Sequence, residues 1–214
     1  MVKTLLTICA HNDDQIIGAG GTLAKYAKNG WRIRTIICSY GEKSHPHLPR
    51  DEVIKKRMQE AQSSDKILGG KGFVCLGIQD GKFRREFKEK NASQQLTEII
   101  AKEEPFLIFT HSKDDFHPDH RAVHAMVRLL VKMGVITCPV FTFDVWTPLG
   151  FSHSRAPKLY VDVSGTFQQK VDALMVHKSQ RLAILNVIWS MYLRAIWTGW
   201  RRGCRYAEVF YKLL

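Results

Sequence analysis

The sequence predicts a single α/β domain: a mostly parallel sheet flanked by helices, with an apolar helix near the C-terminal end. Three observations lead there. Apolar, β-branched runs alternate with stretches of helical spacing from the first residues onward, the pattern of βαβ units joined by right-handed crossovers. The chain has 214 residues, 45 % of them hydrophobic, which suits one domain with a substantial core. Two clusters, His11-Asn12-Asp13-Asp14 and His117-Pro118-Asp119-His120, each follow one of the apolar runs. Two strands of one parallel sheet deliver both clusters to the same edge, where open α/β sheets hold their ligands.

Lys3 to Ala10 reads as the first strand and Gly20 to Asn29 as a helix stopped by Gly30. Arg32 to Ser39, rich in β-branched residues, is the second strand. After a loop with Gly41, Pro46 and Pro49, a helix runs from about Asp51 to Ile67, with Val53, Ile54, Met58 and Ala61 roughly on one face. Gly69-Gly70 ends it and Phe73 to Leu76 is a third strand. Ser93 is the expected cap of a helix ending near Glu104, and Phe106 to Thr110 is the fourth strand. A helix follows from near Asp119 to Met133; Val140 to Phe143 and Leu159 to Asp162 complete the strands. The layout is Rossmann-like. We expect one domain over 1–214, an α/β core at 1–165 and a helical extension at 166–214, without internal repeats or linkers.

From Leu182 to Trp200 almost every residue is apolar except Asn186, Ser190, Arg194 and Thr198. Their strict i, i+4 spacing gives a helix one narrow polar stripe, so burial in a core or an oligomer interface is expected. The segment is about long enough to span a bilayer, but a central arginine and basic flanks oppose a span. Lys178, Arg181, Arg201, Arg202 and Arg205, with Trp189, Trp197 and Trp200, also suit an interfacial helix on anionic lipid.

The five cysteines show no CxxC spacing and read as small buried thiols in a reducing compartment. Met1-Val2-Lys3-Thr4 runs straight into a strand, so neither a signal peptide nor an address other than the cytoplasm is expected. The net charge of +12 draws anions without choosing among them. No RNP, zinc-finger or helix-turn-helix pattern accompanies it, so no nucleic-acid partner is expected.

Two imidazoles and one carboxylate from His11, Asp14 and His120 leave a fourth position open, the ligand count of a catalytic zinc. Zinc in such a site lowers the pKa of bound water to about 7 and polarises a carbonyl. Asp13 is available as the base, and His117 as oxyanion stabiliser or general acid. Asp119 can hold an imidazole in the required tautomer. Each cluster also has a purely structural reading, since Asp after a strand often caps a helix. Both clusters at strand ends of one chain favour the chemical reading.

These motifs carry a specific resemblance. The chain resembles the LmbE/PIG-L family of zinc-dependent N-acetylglucosaminyl deacetylases, whose motifs are A-H-P-D-D-E and H-P-D-H; here they stand as Ala10 to Gln15 and His117 to His120. Gly18 to Leu23, Gly41-Glu42, Arg57-x-x-Glu60-Ala61 with Leu68-Gly69, Asp80-Gly81 and Ala207-Glu208-Val209-Phe210 extend the match over most of the chain. The resemblance implies one zinc on His11, Asp14 and His120, Asp13 as general base and His117 as electrophile. It also implies sugar or acetate contacts from Arg57 and Asp80, and an N-acetylglucosamine substrate that is free, glycosidic or lipid-linked.

Asn12 stands where the family has proline, and Gln15 where it has an acid; neither change removes a ligand. His45, His47, His111, His124, Asp114 and Asp115 are secondary candidates around the site. A nucleotide-binding oxidoreductase is disfavoured because G-x-G-x-x-G needs glycine where Leu23 stands. A non-catalytic carbohydrate- or lipid-binding module is disfavoured because every ligand and the base are present.

Overall fold

The computed structural model describes residues 2–44, 47–146 and 156–214. Its strands are β1 (Thr4–Cys9), β2 (Arg32–Ser39), β3 (Phe73–Ile78), β4 (Leu107–His111), β5 (Val140–Phe143), β6 (Lys158–Asp162) and β7 (Ala207–Lys212). They form one sheet in the order β3-β2-β1-β4-β5-β7-β6. The first five are mutually parallel, and β7 runs antiparallel to both β5 and β6. Every residue of β1 is buried, which explains its unbroken apolar run: a central parallel strand is covered on both faces.

The helices are α1 (Asp14–Lys28), α2 (Arg50–Leu68), α3 (Phe83–Glu89), α4 (Ala92–Glu103), α5 (Pro118–Lys132), α6 (Phe167–Met175) and α7 (Arg181–Trp200). They cover the sheet on both sides. Leu5 and Cys9 of β1 join the core beneath α1, α6 and α7, whereas Leu6 and Ile8 join the core beneath α3, α4 and α5. That alternation is the period of two a strand imposes.

The expected α/β architecture is present, with differences in detail. α1 begins at Asp14 rather than Gly20, so its glycines lie inside the helix. They are there for close packing: a Cβ at Gly18 would enter the Phe143 ring, and one at Gly21 would lie 2.8 Å from Val163 Cβ. The N-cap position of α4 is held by Asn91 in the left-handed region, φ 48°, without a side-chain capping bond, rather than by Ser93. α3 was not expected, and α6 lies within the helical extension expected at 166–214.

The segment after 165 is more than a helical extension, because β7 enters the sheet between β5 and β6. Glu208 of β7 explains the Ala-Glu-x-Phe motif. Its carboxylate accepts from Gly21 N at 3.1 Å and Thr22 N at 2.8 Å, and pairs with the buried Lys170 at 2.6 Å. Lys170 in turn donates to the Ile17 carbonyl at 2.8 Å. The C-terminal strand is thereby tied to the helix that leaves the first cluster.

α7 is covered by the fold on one side only. Ser190 and Thr198 of its polar stripe are buried with Ile184, Val187, Met191 and Ala195, while Leu182, Leu185, Trp189, Leu193, Ile196, Trp197 and Trp200 face outward. Half-buried Arg194 donates to the Asp144 carbonyl at 2.8 Å. The segment 178–200 is long and apolar enough to cross a membrane, yet a third of its most apolar stretch is buried in the fold.

Candidate active site

The sheet order reverses direction around β1: the chain builds β2 and β3 on one side, then crosses to β4 on the other. Such a switch point opens a crevice at the carboxyl ends of the strands. The loop after β1 brings His11 to Asp14 into it, and the loop after β4 brings Ser112 to His120. His111, the last residue of β4, binds the two loops together by accepting from Ala10 N at 3.0 Å through Nε2.

One ligand atom each from His11, Asp14 and His120 lies within 4.8 Å of the other two. Asp14 is the centre of this trio. Its Oδ2 accepts from His11 N at 2.7 Å and lies 3.4 Å from His11 Nδ1, and its Oδ1 lies 3.2 Å from His120 Nε2. Burial works against ionisation of Asp14, but His120, His111 and His11 outweigh it and hold the carboxyl well below its ordinary range. Burial likewise opposes charge on His120, and Asp14 and Asp115 overcome it, raising the ring to about 9.

The trio passes the test for a divalent metal. His120 Nε2 is buried and bonded to no backbone group, and it faces only the Asp14 carboxylate, at 3.2 Å, as two ligands of one ion would. Two other groups among the described residues have comparable spacing, His11-His117-Asp119 and His111-Asp115-His120. In them His117 Nδ1 already accepts from Asp119 N, His111 Nε2 from Ala10 N, and Asp115 from several backbone amides. In the first trio both imidazoles are free of backbone bonds, and of the carboxylate only Asp14 Oδ2 accepts from the backbone.

The capping alternative is resolved at both clusters. Asp13 occupies the N-cap position of α1 but makes no side-chain capping bond. Its carboxylate faces the cleft, and Arg57 Nη2 is 3.9 Å away. At α5 the cap is His117, with Pro118 in the first turn, and His117 Nδ1 accepts from Asp119 N at 3.2 Å. In the neutral ring the proton therefore sits on Nε2.

Asp119 accepts from Gly81 N at 3.0 Å and lies 3.7 Å from His11 Nε2. Asp80 lies 3.5 Å from the same nitrogen and accepts from Ser39 Oγ; opposing its burial, His11 and Ser39 lower it to about 2. Arg57, 2 % exposed, lines the cleft beside Gly41. His11, Asp13, Asp14, Arg57, Asp80, His117 and Asp119 line the crevice, and His120 lies behind them against Asp14. The cleft holds about 370 Å³ and is closed on one side by Trp146 and by Ala183, Ile184 and Val187 of α7. A larger cavity of about 670 Å³ lies between α7 and β7 and contains none of the trio.

The secondary candidates take definite places, and one residue, His177, was not foreseen. Asp115, a candidate for capping or shaping the motif loop, is fully enclosed: Oδ1 lies 3.0 Å from His120 Nδ1, and Oδ2 accepts from Val145 N at 2.8 Å. It is the carboxylate that orients His120. His111 stacks on the His120 ring at 3.9 Å, and burial lowers it to about 4, so it is neutral when it accepts from Ala10. His124 supports that loop through Nδ1, 2.9 Å from the His111 carbonyl. His177, buried with neither ring nitrogen bonded, lies in the electrostatic field of Asp13, Arg57 and Glu60. Of the loop histidines, His47 is exposed and His45 lies outside the described residues.

Gln15 carries no role at the trio. It accepts from Cys9 Sγ at 3.3 Å and donates to the Asn12 carbonyl at 3.1 Å, pinning the loop from below.

The chain is similar to known proteins of the same fold. Over 97 % of its length the chain is 28 % identical to the diacetylchitobiose deacetylase of Thermococcus kodakarensis, covering 82 % of that protein. It is 25 % identical over 90 % of its length to the 4-oxalmesaconate hydratase of Pseudomonas putida, covering 78 % of it. The solved N,N'-diacetylchitobiose deacetylase from Pyrococcus horikoshii shares the fold, with a TM-score of 0.80 at 23 % identity over 99 % of this chain and 84 % of that one. Residues 6–131, which include both clusters, match the family described as PIG-L, GlcNAc-PI de-N-acetylase, and the chain therefore belongs to the PIG-L (LmbE) family.

Proposed function

We propose that this protein removes the acetyl group of an N-acetylglucosamine-containing substrate by metal-dependent hydrolysis. The observation that carries the reading is the pairing, in one cleft, of the His11-Asp14-His120 trio with an adjacent carboxylate, Asp13, that caps nothing. The deacetylase relative and the family description support the acetylated sugar as substrate.

Zinc held by His11, Asp14 and His120 would lower the pKa of a bound water to about 7 and polarise the acetamide carbonyl. Asp13 takes the proton of the attacking water and returns it to the departing amine. His117 donates from Nε2 to the oxygen that becomes negative, a role its Asp119-fixed tautomer suits. Arg57 and Asp80, on the cleft wall, hold sugar hydroxyls or the acetyl group, and Asp119 helps orient His11.

The hydratase relative supports a second reading, addition of water to a carbon–carbon double bond in the same cleft. One experiment separates them. Protein reconstituted with zinc is assayed for acetate released from N,N'-diacetylchitobiose and from N-acetylglucosamine glycosides, and in parallel for hydration of 4-oxalmesaconate. Acetate release, slowed at least about 10²-fold in Asp13→Asn, is expected. Hydration without acetate release would replace the deacetylase reading.

A further inference from the structure

α7 carries a surface the fold does not use. Leu182, Leu185, Trp189, Leu193, Ile196 and Trp200 stand on its outer face, each between 46 and 81 % exposed. At about 100° per residue they fall within an arc of about 80°, and they extend roughly 27 Å along the axis. Trp197, also exposed, packs against Trp200 with ring centroids 5.4 Å apart. A continuous apolar stripe of this kind marks an interaction site.

The opposite face is committed to the protein. Ser190 and Thr198 are buried, and Arg194 is bonded to the Asp144 carbonyl. The helix therefore lies along the surface with one face out. Exposed cations bracket the stripe: Lys178 and Arg181 at its start, and Arg201, Arg202 and Arg205 beyond its end. No acidic residue occurs between 178 and 205.

Charge decides between the two kinds of occupant an apolar stripe admits. In a two-fold contact with a second copy, the stripe's basic ends face either themselves or each other, with no carboxylate between them. An anionic lipid surface neutralises the same cations while it takes up the leucines and tryptophans. We propose that α7 docks this protein on an anionic bilayer, its apolar stripe at the boundary of headgroups and acyl chains. Docking does not depend on the reaction assigned to the cleft. It has a consequence for it, because the inner face of α7 is a wall of that cleft, which then lies about one helix diameter, roughly 10 Å, from the lipid.

The test is co-sedimentation of the full chain with phosphatidylcholine vesicles, neutral or containing roughly 30 % phosphatidylglycerol. At low salt the anionic vesicles are expected to pellet at least about tenfold more protein, with a blue shift of tryptophan emission, and high salt to reduce binding. Leu193→Glu and, separately, Trp200→Ser should each lower the bound fraction about fivefold or more with circular dichroism unchanged. No binding to anionic vesicles at low salt overturns the proposal. So does binding that both variants leave intact, which would be charge alone, and so does a dimer by light scattering that Leu193→Glu dissolves.

Discussion

Asn12 and Arg57 hold each other at two points. The Asn12 amide donates to the Arg57 carbonyl at 2.7 Å, and the Arg57 guanidinium donates to Asn12 Oδ1. Both side chains are buried, and Gly41 lies against the guanidinium so closely that a Cβ there would collide with it. The residue that departs from the family's proline is thus the one that steadies the arginine of the cleft wall. Asn12→Ala would leave a buried guanidinium N–H without its acceptor, at a cost of about 1–3 kcal/mol. Urea denaturation should show that loss, and KM should rise as Arg57 loosens. An unchanged unfolding midpoint would mean that the pair contributes nothing.

Asp13→Asn should keep the zinc stoichiometry of the parent protein and lower kcat by about 10² to 10⁴, the range of a lost general base. Metal analysis beside steady-state kinetics checks both halves. Loss of zinc together with activity would make Asp13 a ligand instead.

Asp115→Asn should weaken zinc binding by about 10- to 100-fold, as loss of an orienting carboxylate behind a ligating histidine does. Competition with a chromogenic chelator reads this directly. The effect is expected although Asp115 is sealed from the cleft, because it fixes His120 from behind.

Glu208→Ala should destabilise the fold by about 3–5 kcal/mol, since it strands the buried Lys170 ammonium. It also strips acceptors from Gly21 N and Thr22 N. Glu208→Gln, which retains an acceptor oxygen, should lose less. Comparable losses for the two variants would rule out this account.

Stability should depend on pH through Asp144. Burial raises its carboxyl to about 6, and the nearby Arg194 only partly offsets this. The folded state therefore binds the proton more tightly than the unfolded chain does. The contribution is fully present below the ordinary carboxylate pKa and is lost as pH rises through about 6. Asp144→Asn should flatten that decline and be more stable above it by up to about 3 kcal/mol. Melting curves across that window, for parent and variant, test the direction.

The His11-Asp14-His120 trio was legible as a candidate because each member stands within a few residues of a strand end or helix start, and the period of each element is written locally. The orienting role of Asp115 was not, although it lies five residues from His120. Its role depends on the amide of Val145, which sheet pairing brings to it from beyond β5. Asn12 read as a departure from a motif because its partner is 45 positions away. Gly18 read as lying before the first helix, since the Phe143 ring that requires it is invisible in local sequence.

The sequence by itself determined the alternation of strands and helices, the two clusters and the amphipathic register of α7, all set by periodicity and adjacency along the chain. Tertiary structure decided the rest. It chose which carboxylate supports His120, what Asn12 and Glu208 hold, and which face of α7 turns outward. A residue's polarity states that it needs a partner, but only the order of strands in the sheet determines which distant group arrives to meet it.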